Sequence, residues 1–371
     1  MKKFCFILPG LDTGGMEKYL LQFLEFLPDK NFHFVLVRGK NVNNKGSLFE
    51  QYKKTSVNIY FQRIGYLNVI NWLKLYRFYN KNQFFTVCDF NGNFAGITLL
   101  IANMAGIKNR IAFYRRSSNA FNPVWYKNIY NTILNRLVYK YATKILSNSY
   151  HALDFFFPYR KQHDERFSVI PNGVFYEKFD VKASKEEARI FLKLPLNKFI
   201  IGHVGRYDPS KNHETIFKVA KELQEKKKNV FFLFAGKNTD SSEFLRRIKE
   251  YEIENICCSL GLQSNMGILY RAMDLFYFPS LTEGQPNALI EAMLSGLPVV
   301  VSNIPSIKEI IPVSHHYFLL NPRDILSAAK TISQLIDDQD LLSKMIFKEE
   351  ARLMFDPYKN FNLFLRELLN E

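Results

Sequence analysis

The strongest constraint on this 371-residue chain is a repeated alternation of short apolar runs with stretches of helical periodicity. The first block starts with an apolar run at 4–8 and continues to about residue 147. A Pro-Asn-Gly turn within 168–174 interrupts the alternation, which restarts at 199–204. Short apolar strands that alternate with helices are typical of parallel sheets covered on both faces. The sequence therefore predicts two α/β domains of similar length, each resembling a dinucleotide-binding fold.

The net charge of +15 is unevenly distributed along the chain. Residues 1–170 contain 24 Lys and Arg against 9 Asp and Glu, so the first half carries the whole excess. A basic half can serve nucleic acid, an acidic substrate or an anionic bilayer, or it can be a solvated surface. No apolar run approaches the ~18 residues of a membrane-spanning helix. The short apolar run at the start predicts a first strand and no signal peptide.

The cysteines do not follow a metal-binding or disulfide pattern. The four of them form no C-x-x-C pair and have no accompanying His cluster, which is typical of a protein in a reducing cytosol. The acidic run at 337–340 is predicted to be a helix cap or a turn. We therefore expect neither disulfides nor a metal site.

Two carboxylates eight positions apart, Glu283 and Glu291, are the most specific chemical signal. A strand-like run precedes them, and a helix is expected to begin at about Pro286, because proline is favoured at the first helical position. The amides of the first turn would then point out of the helix end, where phosphates bind. Carboxylates accept hydrogen bonds from sugar hydroxyls. This combination predicts a nucleotide-sugar site, with the diphosphate at the helix end and the sugars on the two acids.

A second chemical signal lies in the run from Gly202 to His213, which follows a strand and opens a helix. It contains two cations, Arg206 and Lys211. Arginine offers a fork for two oxygens, and lysine a mobile point charge. A strand end, a glycine turn and two cations fit a diphosphate site at the carboxyl edge of a sheet.

The Glu283 region resembles glycosyltransferase family 4, whose retaining enzymes have the GT-B fold. Two glutamates at this spacing alone would be typical of a solvated helix face, so the resemblance depends on the residues around them. It implies two Rossmann-like domains whose parallel sheets face across a cleft. Residues 1–172 would bind the acceptor and 173–355 the donor, and a helix in 356–371 would cross back to the first domain. The residues that carry the resemblance are Glu283, Gly284, Pro286, Glu291, Gly296 and Pro298.

The resemblance also implies a mechanism: a metal-independent, retaining transfer from a UDP- or GDP-sugar that needs no cofactor. Arg206 and Lys211 would stabilise the leaving diphosphate. Glu283 would hold hydroxyls of the donor sugar, and Glu291 those of the ribose. The predicted donor-binding set is Gly14, Gly15, Asn172, Gly205, Gly284, Gln285, Pro286, Asn287, Ala288 and Glu291.

Three residues are candidates for the acceptor side: Asn91, Arg115 and Arg116. Relatives often carry a histidine near the two arginines. A guanidinium cannot act as a general base, but it could bind phosphate on a donor or on a lipid-linked acceptor, or lie solvated in a loop. Asn172, with the glycine after it, either contacts the nucleotide or only turns the chain.

The resemblance implies transfer of a sugar to a glycan, expected to be lipid-linked, in the synthesis of a capsule, an O-antigen or another cell-surface polysaccharide. The basic first half then favours a cytoplasmic enzyme held peripherally on the anionic inner face of the membrane, with no nucleic acid as partner. Two alternatives stay open: a nucleotide-sugar epimerase of GT-B-like fold, and a non-catalytic, donor-binding partner subunit. The sequence does not indicate an oligomeric state.

Overall fold

The computed structural model describes residues 2–12, 14–30, 32–39, 45–65, 68–116, 125–161 and 163–371. Contacts within the chain divide it into two units. Unit 1 comprises Met1–Gly173 together with Pro357–Glu371, and unit 2 comprises Val174–Asp356. The boundaries expected from the sequence differ from these by one residue, and the acceptor and donor roles given to the two domains stay predictions.

Unit 1 contains a seven-stranded sheet in which every strand pair is parallel. Its strands are β1 (Phe4–Leu8), β2 (Phe34–Val37), β3 (Asn58–Phe61), β4 (Thr86–Asp89), β5 (Asn109–Tyr114), β6 (Lys144–Ser147) and β7 (Phe167–Val169). The spatial order is β3-β2-β1-β4-β5-β6-β7, so the chain reverses its direction of growth after β3. Strand β1 is buried along its whole length, as expected for the centre of a parallel sheet.

The connections between these strands are helical. The helices are α1 (Gly15–Phe26), α2 (Phe49–Lys54), α3 (Val69–Asn82), α4 (Ala95–Met104), α5 (Trp125–Tyr141) and α6 (Tyr150–Phe156). Local side-chain caps fix where some of them begin: the side chains of Asn68 and Ser149 accept hydrogen bonds from the first turns of α3 and α6. Among the described residues, no helix has both the length and the apolar composition needed to cross a bilayer.

Unit 2 contains a five-stranded sheet, again parallel throughout. Its strands are β8 (Phe199–Val204), β9 (Val230–Ala235), β10 (Cys257–Ser259), β11 (Leu275–Phe278) and β12 (Val299–Val301), in the spatial order β10-β9-β8-β11-β12. Its helices are α7 (Lys185–Phe191), α8 (His213–Glu225), α9 (Ser242–Glu250), α10 (Met266–Arg271), α11 (Asn287–Leu294), α12 (Pro305–Lys308), α13 (Ile325–Asp337), α14 (Gln339–Ser343) and α15 (Lys348–Met354). The acidic run at 337–340 caps a helix as predicted, because the Asp338 side chain accepts from the amide of Leu341 at the start of α14.

The C-terminal helix α16 (Pro357–Leu369) belongs to unit 1. The sequence predicts an amphipathic helix over 359–369, and its apolar side is indeed buried: Phe361, Phe364 and Leu368 are fully covered. The ring of Phe364 lies 4.6 Å from that of Phe23 on α1 and 5.3 Å from that of Phe113 on β5. Aromatic packing therefore fixes α16 onto the sheet and first helix of unit 1.

Several short elements do not appear in the sequence-based expectation. Strand β7 overlaps the 168–174 segment that was assigned to a turn, and α2, α6, α12 and α15 have four to seven residues each. Such short elements carry too few periods for a hydrophobic pattern to identify them.

Shortening Phe364 to alanine tests the packing of α16. Phe364→Ala should lower the free energy of unfolding of unit 1 by ~3–5 kcal/mol, the usual cost of emptying a buried phenylalanine site. Both tryptophans of the chain, Trp72 and Trp125, belong to unit 1, so tryptophan fluorescence in denaturant reports this unit. The exposed Arg366 on the same helix provides the control, and Arg366→Ala should change stability by less than about 0.5 kcal/mol. Equal effects of the two substitutions would contradict this packing.

Candidate functional site

Two loops meet at the carboxyl edge of the unit 2 sheet. The first follows β8 and contains the 3₁₀ turn Pro209–Lys211 before α8 begins. The second follows β11 and leads into α11. Because β8 and β11 are paired in parallel, with Ile201 opposite Leu275, both loops leave the sheet at the same edge.

Hydrogen bonds join the two loops directly. The amide of Leu281 donates to the carbonyl of Ser210 at 2.8 Å. The side chain of Asn212 donates to the carbonyls of Pro279 at 3.0 Å and Pro322 at 2.6 Å. Asn212 itself adopts a left-handed backbone conformation with φ of 59°, which asparagine tolerates well. No motif in the sequence marked Asn212, although its position directly after Lys211 pointed to a place in the same loop.

Gly205 follows β8 at a point where backbones approach closely. A Cβ on Gly236, which has φ of 143°, would lie 2.2 Å from the carbonyl oxygen of Gly205. A Cβ on Gly205 itself would lie 3.0 Å from Nε2 of His203 and 3.3 Å from Cγ of Lys211. A side chain at Gly205 or Gly236 would therefore disturb the edge of the sheet at which Lys211 lies.

The structure brings Lys211 and Glu283 into direct contact. The Nζ atom of Lys211 donates to Oε1 of Glu283 at 2.5 Å, and both side chains are largely buried. The same Nζ lies 5.2 Å from the ring centroid of Phe278 at the end of β11. Arg206 differs from both, because its side chain is 67% exposed and lies 3.9 Å from Asp208. Two of the three predicted catalytic residues thus form one ion pair, and the third extends into solvent.

The helix after the Gly/Pro turn begins one residue later than predicted. Pro286 is the N-cap residue, with extended backbone angles of −78° and 106°, and Asn287 is the first helical residue. The first helical hydrogen bond runs from the amide of Ile290 to the carbonyl of Pro286. The amides of 287–289 therefore precede the first helical hydrogen bond, and anion binding at this helix end stays a prediction. Gly284 and Gln285 lie in the preceding loop.

Glu291 lies on the second turn of α11, where Tyr270 holds it. The hydroxyl of Tyr270 lies 2.9 Å from Oε2 of Glu291 and 3.2 Å from the carbonyl of Ala288. Burial raises the pKa of Tyr270 well above its usual value, and the charge of Glu291 raises it further. Tyr270 therefore stays protonated and can donate to the carboxylate. No motif in the sequence marked Tyr270.

Buried histidines lie behind Lys211. Nδ1 of His203 lies 3.0 Å from the carbonyl of Tyr277, so this nitrogen carries the proton and Nε2 does not. Burial lowers the pKa of His203 to about 4, against the opposing effect of that hydrogen bond. Burial also lowers the pKa of His213 well below its usual value, and His203 and Lys211 lower it further. Both rings are therefore neutral at pH 7.

The remaining predicted donor residues, Gly14, Gly15 and Asn172, belong to unit 1. Gly14 is the N-cap residue of α1, and Gly15 is its first residue. A Cβ on Gly14 would lie 2.3 Å from a carboxylate oxygen of Glu17, which folds back over the start of the helix. Asn172 accepts from Nη2 of Arg115 at 2.6 Å. A structural role for Asn172 is thus visible, and its contact with a nucleotide stays a prediction.

The three acceptor-side candidates lie at the carboxyl ends of β4 and β5. Asn91 is fixed by Asp89, whose Oδ1 accepts from its backbone amide at 2.8 Å and from its side chain. The guanidinium carbon of Arg115 lies 3.7 Å from the ring centroid of Tyr19. Nη2 of Arg116 donates to Asn93 at 2.7 Å. Stacking and hydrogen bonds hold both guanidinium groups, which argues against the alternative of arginines solvated in a loop, and their binding of phosphate stays a prediction.

Comparisons with known proteins identify glycosyltransferases as relatives of this chain. The sequence profile of the family described as "Glycosyl transferases group 1" matches residues 184–353, all within unit 2. The glycosyltransferase EpsF of Bacillus subtilis (strain 168) is 25% identical over 314 residues, which cover 81% of this chain and 79% of EpsF. An Escherichia coli enzyme, UDP-Gal:alpha-D-GlcNAc-diphosphoundecaprenol alpha-1,3-galactosyltransferase, is 25% identical over 350 residues, 88% of this chain and 86% of the enzyme.

The fold is also found in solved structures. Anabaena HepE in complex with UDP-glucose superposes with a TM-score of 0.83 at 18% identity, covering 100% of both chains. The fold and the sequence relatives define this chain as a glycosyltransferase of the GT-B type. The match of residues 184–353 to the group 1 glycosyl transferase profile confirms the resemblance drawn from the sequence.

The two buried histidines predict a pH-dependent stability of unit 2. The folded state keeps them neutral, whereas the unfolded chain binds protons below about pH 6.5. Stability should therefore be complete above about pH 6.5 and fall as the pH drops towards 4, by at most ~1.4 kcal/mol per pH unit for each ring. Circular dichroism should detect this transition, and tryptophan fluorescence should not, because unit 2 has no tryptophan.

His203→Asn should flatten this pH dependence, since the shorter amide can still donate to Tyr277 and does not titrate. The exposed His163 supplies the control, and His163→Gln should leave the slope unchanged. A slope that His203→Asn does not alter would show that other groups cause the acid sensitivity.

Proposed function

We propose that this chain transfers a sugar from a UDP-sugar to a glycan acceptor carried on a lipid diphosphate, with retention of the anomeric configuration and without a metal ion. The Lys211–Glu283 pair beside the start of α11 carries the proposal. The relatives support the substrates: the E. coli enzyme is named for a UDP-sugar donor and a diphosphoundecaprenol-linked acceptor. Capsular polysaccharide enzymes of Staphylococcus aureus are also similar, at 25–27% identity.

The chemical problem in such a transfer is the leaving group. When the glycosidic bond to the donor breaks, negative charge grows on the diphosphate oxygens. Lys211 and the amides of the first turn of α11 are fixed at one edge of the sheet, where they can receive that charge. Arg206 is exposed and can reach a bound ligand without breaking a buried contact. Lys211, Arg206 and the α11 amides thus provide the positive charge that a divalent ion would provide in a metal-dependent enzyme.

Glu283 serves two purposes in this proposal. Without donor it neutralises Lys211, which makes a buried lysine tolerable. When the donor is bound, its diphosphate pairs with Lys211 in place of Glu283. The Glu283 carboxylate then accepts hydrogen bonds from sugar hydroxyls. Glu291, which Tyr270 orients, accepts from the ribose hydroxyls. The contact of Glu283 with the donor sugar becomes stronger in the transition state, whereas the contact of Glu291 with the ribose does not. Loss of the Glu283 contact should therefore affect mainly kcat, and loss of the Glu291 contact mainly KM.

Substitutions at these residues test the assignment. Lys211→Ala should lower kcat by ~10²–10³, the usual cost of losing one preorganised charge-stabilising donor. Glu283→Gln should lower mainly kcat, and Glu291→Gln should raise mainly the KM for the donor. Lys218 is an exposed lysine on α8, and Lys218→Ala is the matched control with expected wild-type kinetics. Unchanged kinetics in both glutamate variants would mean that the pair is only structural.

Chelation and product analysis complete this test. Activity should persist in excess EDTA, and the product should keep the anomeric configuration of the donor. Loss of activity in EDTA that Mg²⁺ or Mn²⁺ restores would contradict the metal-free proposal. Conversion of the donor sugar without any acceptor would favour the epimerase alternative.

We further propose that unit 1 binds the anionic inner face of the membrane peripherally. The net positive charge of the chain lies within residues 1–170. On α3, the apolar residues Val69, Ile70 and Leu73 are exposed beside basic positions of the same helix. An apolar surface next to cations is suited to insertion between anionic headgroups, where each basic side chain contributes ~1 kcal/mol.

Vesicle binding tests this surface. The chain should sediment with anionic vesicles at low salt and be released at about 0.5 M salt, where charges are screened within a few ångströms. Ile70→Ser with Leu73→Ser, at positions 66% and 52% exposed, should weaken binding. Ile190→Ser with Leu353→Ser, at equally exposed positions of unit 2, should not. Equal binding to neutral and anionic vesicles would contradict the proposal.

A further inference from the structure

A cavity of about 450 Å³ opens at the carboxyl edge of the unit 1 sheet. Its walls come from the segments that follow five neighbouring strands, β1 to β5. The volume is within the range of ordinary small-ligand sites. Every described residue that lines it belongs to unit 1.

Four arginines line this cavity, and none of the described residues in its lining is acidic. Arg38 follows β2, Arg63 lies beyond β3, and Arg115 and Arg116 follow β5. Arg38 is buried and donates to the carbonyl of Phe94 at 2.8 Å, whereas Arg63 is exposed at the rim. Guanidinium groups drawn from three strands to one cavity indicate an anionic ligand with several oxygens.

The Arg115 guanidinium has donor capacity that the protein does not use. Its Nη2 donates to Asn172, but Nε and Nη1 are buried and have no acceptor among the described residues. Burial lowers the pKa of Arg115 to about 10, so the group stays charged at neutral pH. A buried charged donor without an acceptor is costly. An anion in the cavity would supply the missing acceptor.

Charge balance narrows the choice of anion. Asp89 lies behind the cavity, 3.8 Å from Arg38, and the charge of Glu17 acts on Arg115. Two carboxylates face four guanidinium groups, so these described residues carry an excess of positive charge, and a diphosphate diester carries two negative charges. Asn91 and Gly92, also in the wall, begin the helical segment that leads into α4, and its positive dipole end favours an anion.

We infer that this arginine cavity is a diphosphate subsite and, building on the proposed function, that it holds the diphosphate of the lipid-linked acceptor. Arg38 and Arg63 then join Arg115 and Arg116 as acceptor-binding residues. The donor diphosphate does not need this cavity, because Lys211 and the start of α11 provide for it in unit 2.

A binding experiment tests the subsite independently of catalysis. The full chain is saturated with UDP, which occupies the donor site, and inorganic pyrophosphate is then titrated in a calorimeter. Pyrophosphate should still bind, and Arg63→Gln or Arg116→Gln should weaken that binding by about tenfold or more. Arg366→Gln, at an exposed position on α16, should not change it. Absence of binding, or binding that neither cavity variant weakens, would overturn the subsite.

A kinetic experiment then tests which diphosphate it holds. Transfer is measured to the same glycan on a lipid diphosphate and on a neutral alkyl glycoside. The cavity variants should raise the KM for the diphosphate acceptor by about tenfold, with a much smaller change for the neutral acceptor. A rise in the KM for the donor instead would overturn the acceptor assignment. If no acceptor were glycosylated but pyrophosphate binding followed the predicted pattern, the proposed function would fail and the diphosphate subsite would stand.

Discussion

The parallel pairing of β8 with β11 is the constraint on which the proposed donor site depends. In a parallel sheet the carboxyl ends of neighbouring strands lie at one edge. The loop that carries Lys211 and the loop that carries Glu283 therefore meet without any long-range adjustment. The Leu281–Ser210 hydrogen bond and the Asn212 side chain then fix the two loops to each other. The ion pair is a consequence of this arrangement.

That ion pair explains how the site can keep a buried lysine without its ligand. An unpaired ammonium in this position would be costly, and Glu283 removes most of that cost. The neutral state of His203 and His213 matters for the same reason, since a charged ring behind Lys211 would repel it. Lys211 is thus already oriented and already paired. In the proposed function a diphosphate replaces the carboxylate as its partner at little cost in reorganisation.

The sequence predicted the features that follow from periodicity and motif. The two α/β domains, the helix after the Gly/Pro turn and the resemblance to glycosyltransferase family 4 could all be predicted from the sequence. Strand patterns and the glycines and prolines of turns are local features of the chain. The Lys211–Glu283 contact could not be predicted, because the two residues are 72 positions apart and their spacing does not show that their loops meet. The hydrogen bond from Tyr270 to Glu291 was hidden for the same reason. Arg115 was expected in a loop, and only the fold shows that it stacks on Tyr19.

A crystal structure of the chain with bound UDP would show whether Lys211 holds the donor diphosphate. We expect diphosphate oxygens within about 3.2 Å of Nζ of Lys211 and of the first amides of α11. We also expect that Glu283 no longer pairs with Lys211 and that Glu291 accepts from the ribose. A nucleotide whose diphosphate lies away from Lys211, with the Lys211–Glu283 pair intact, would contradict the proposed donor site.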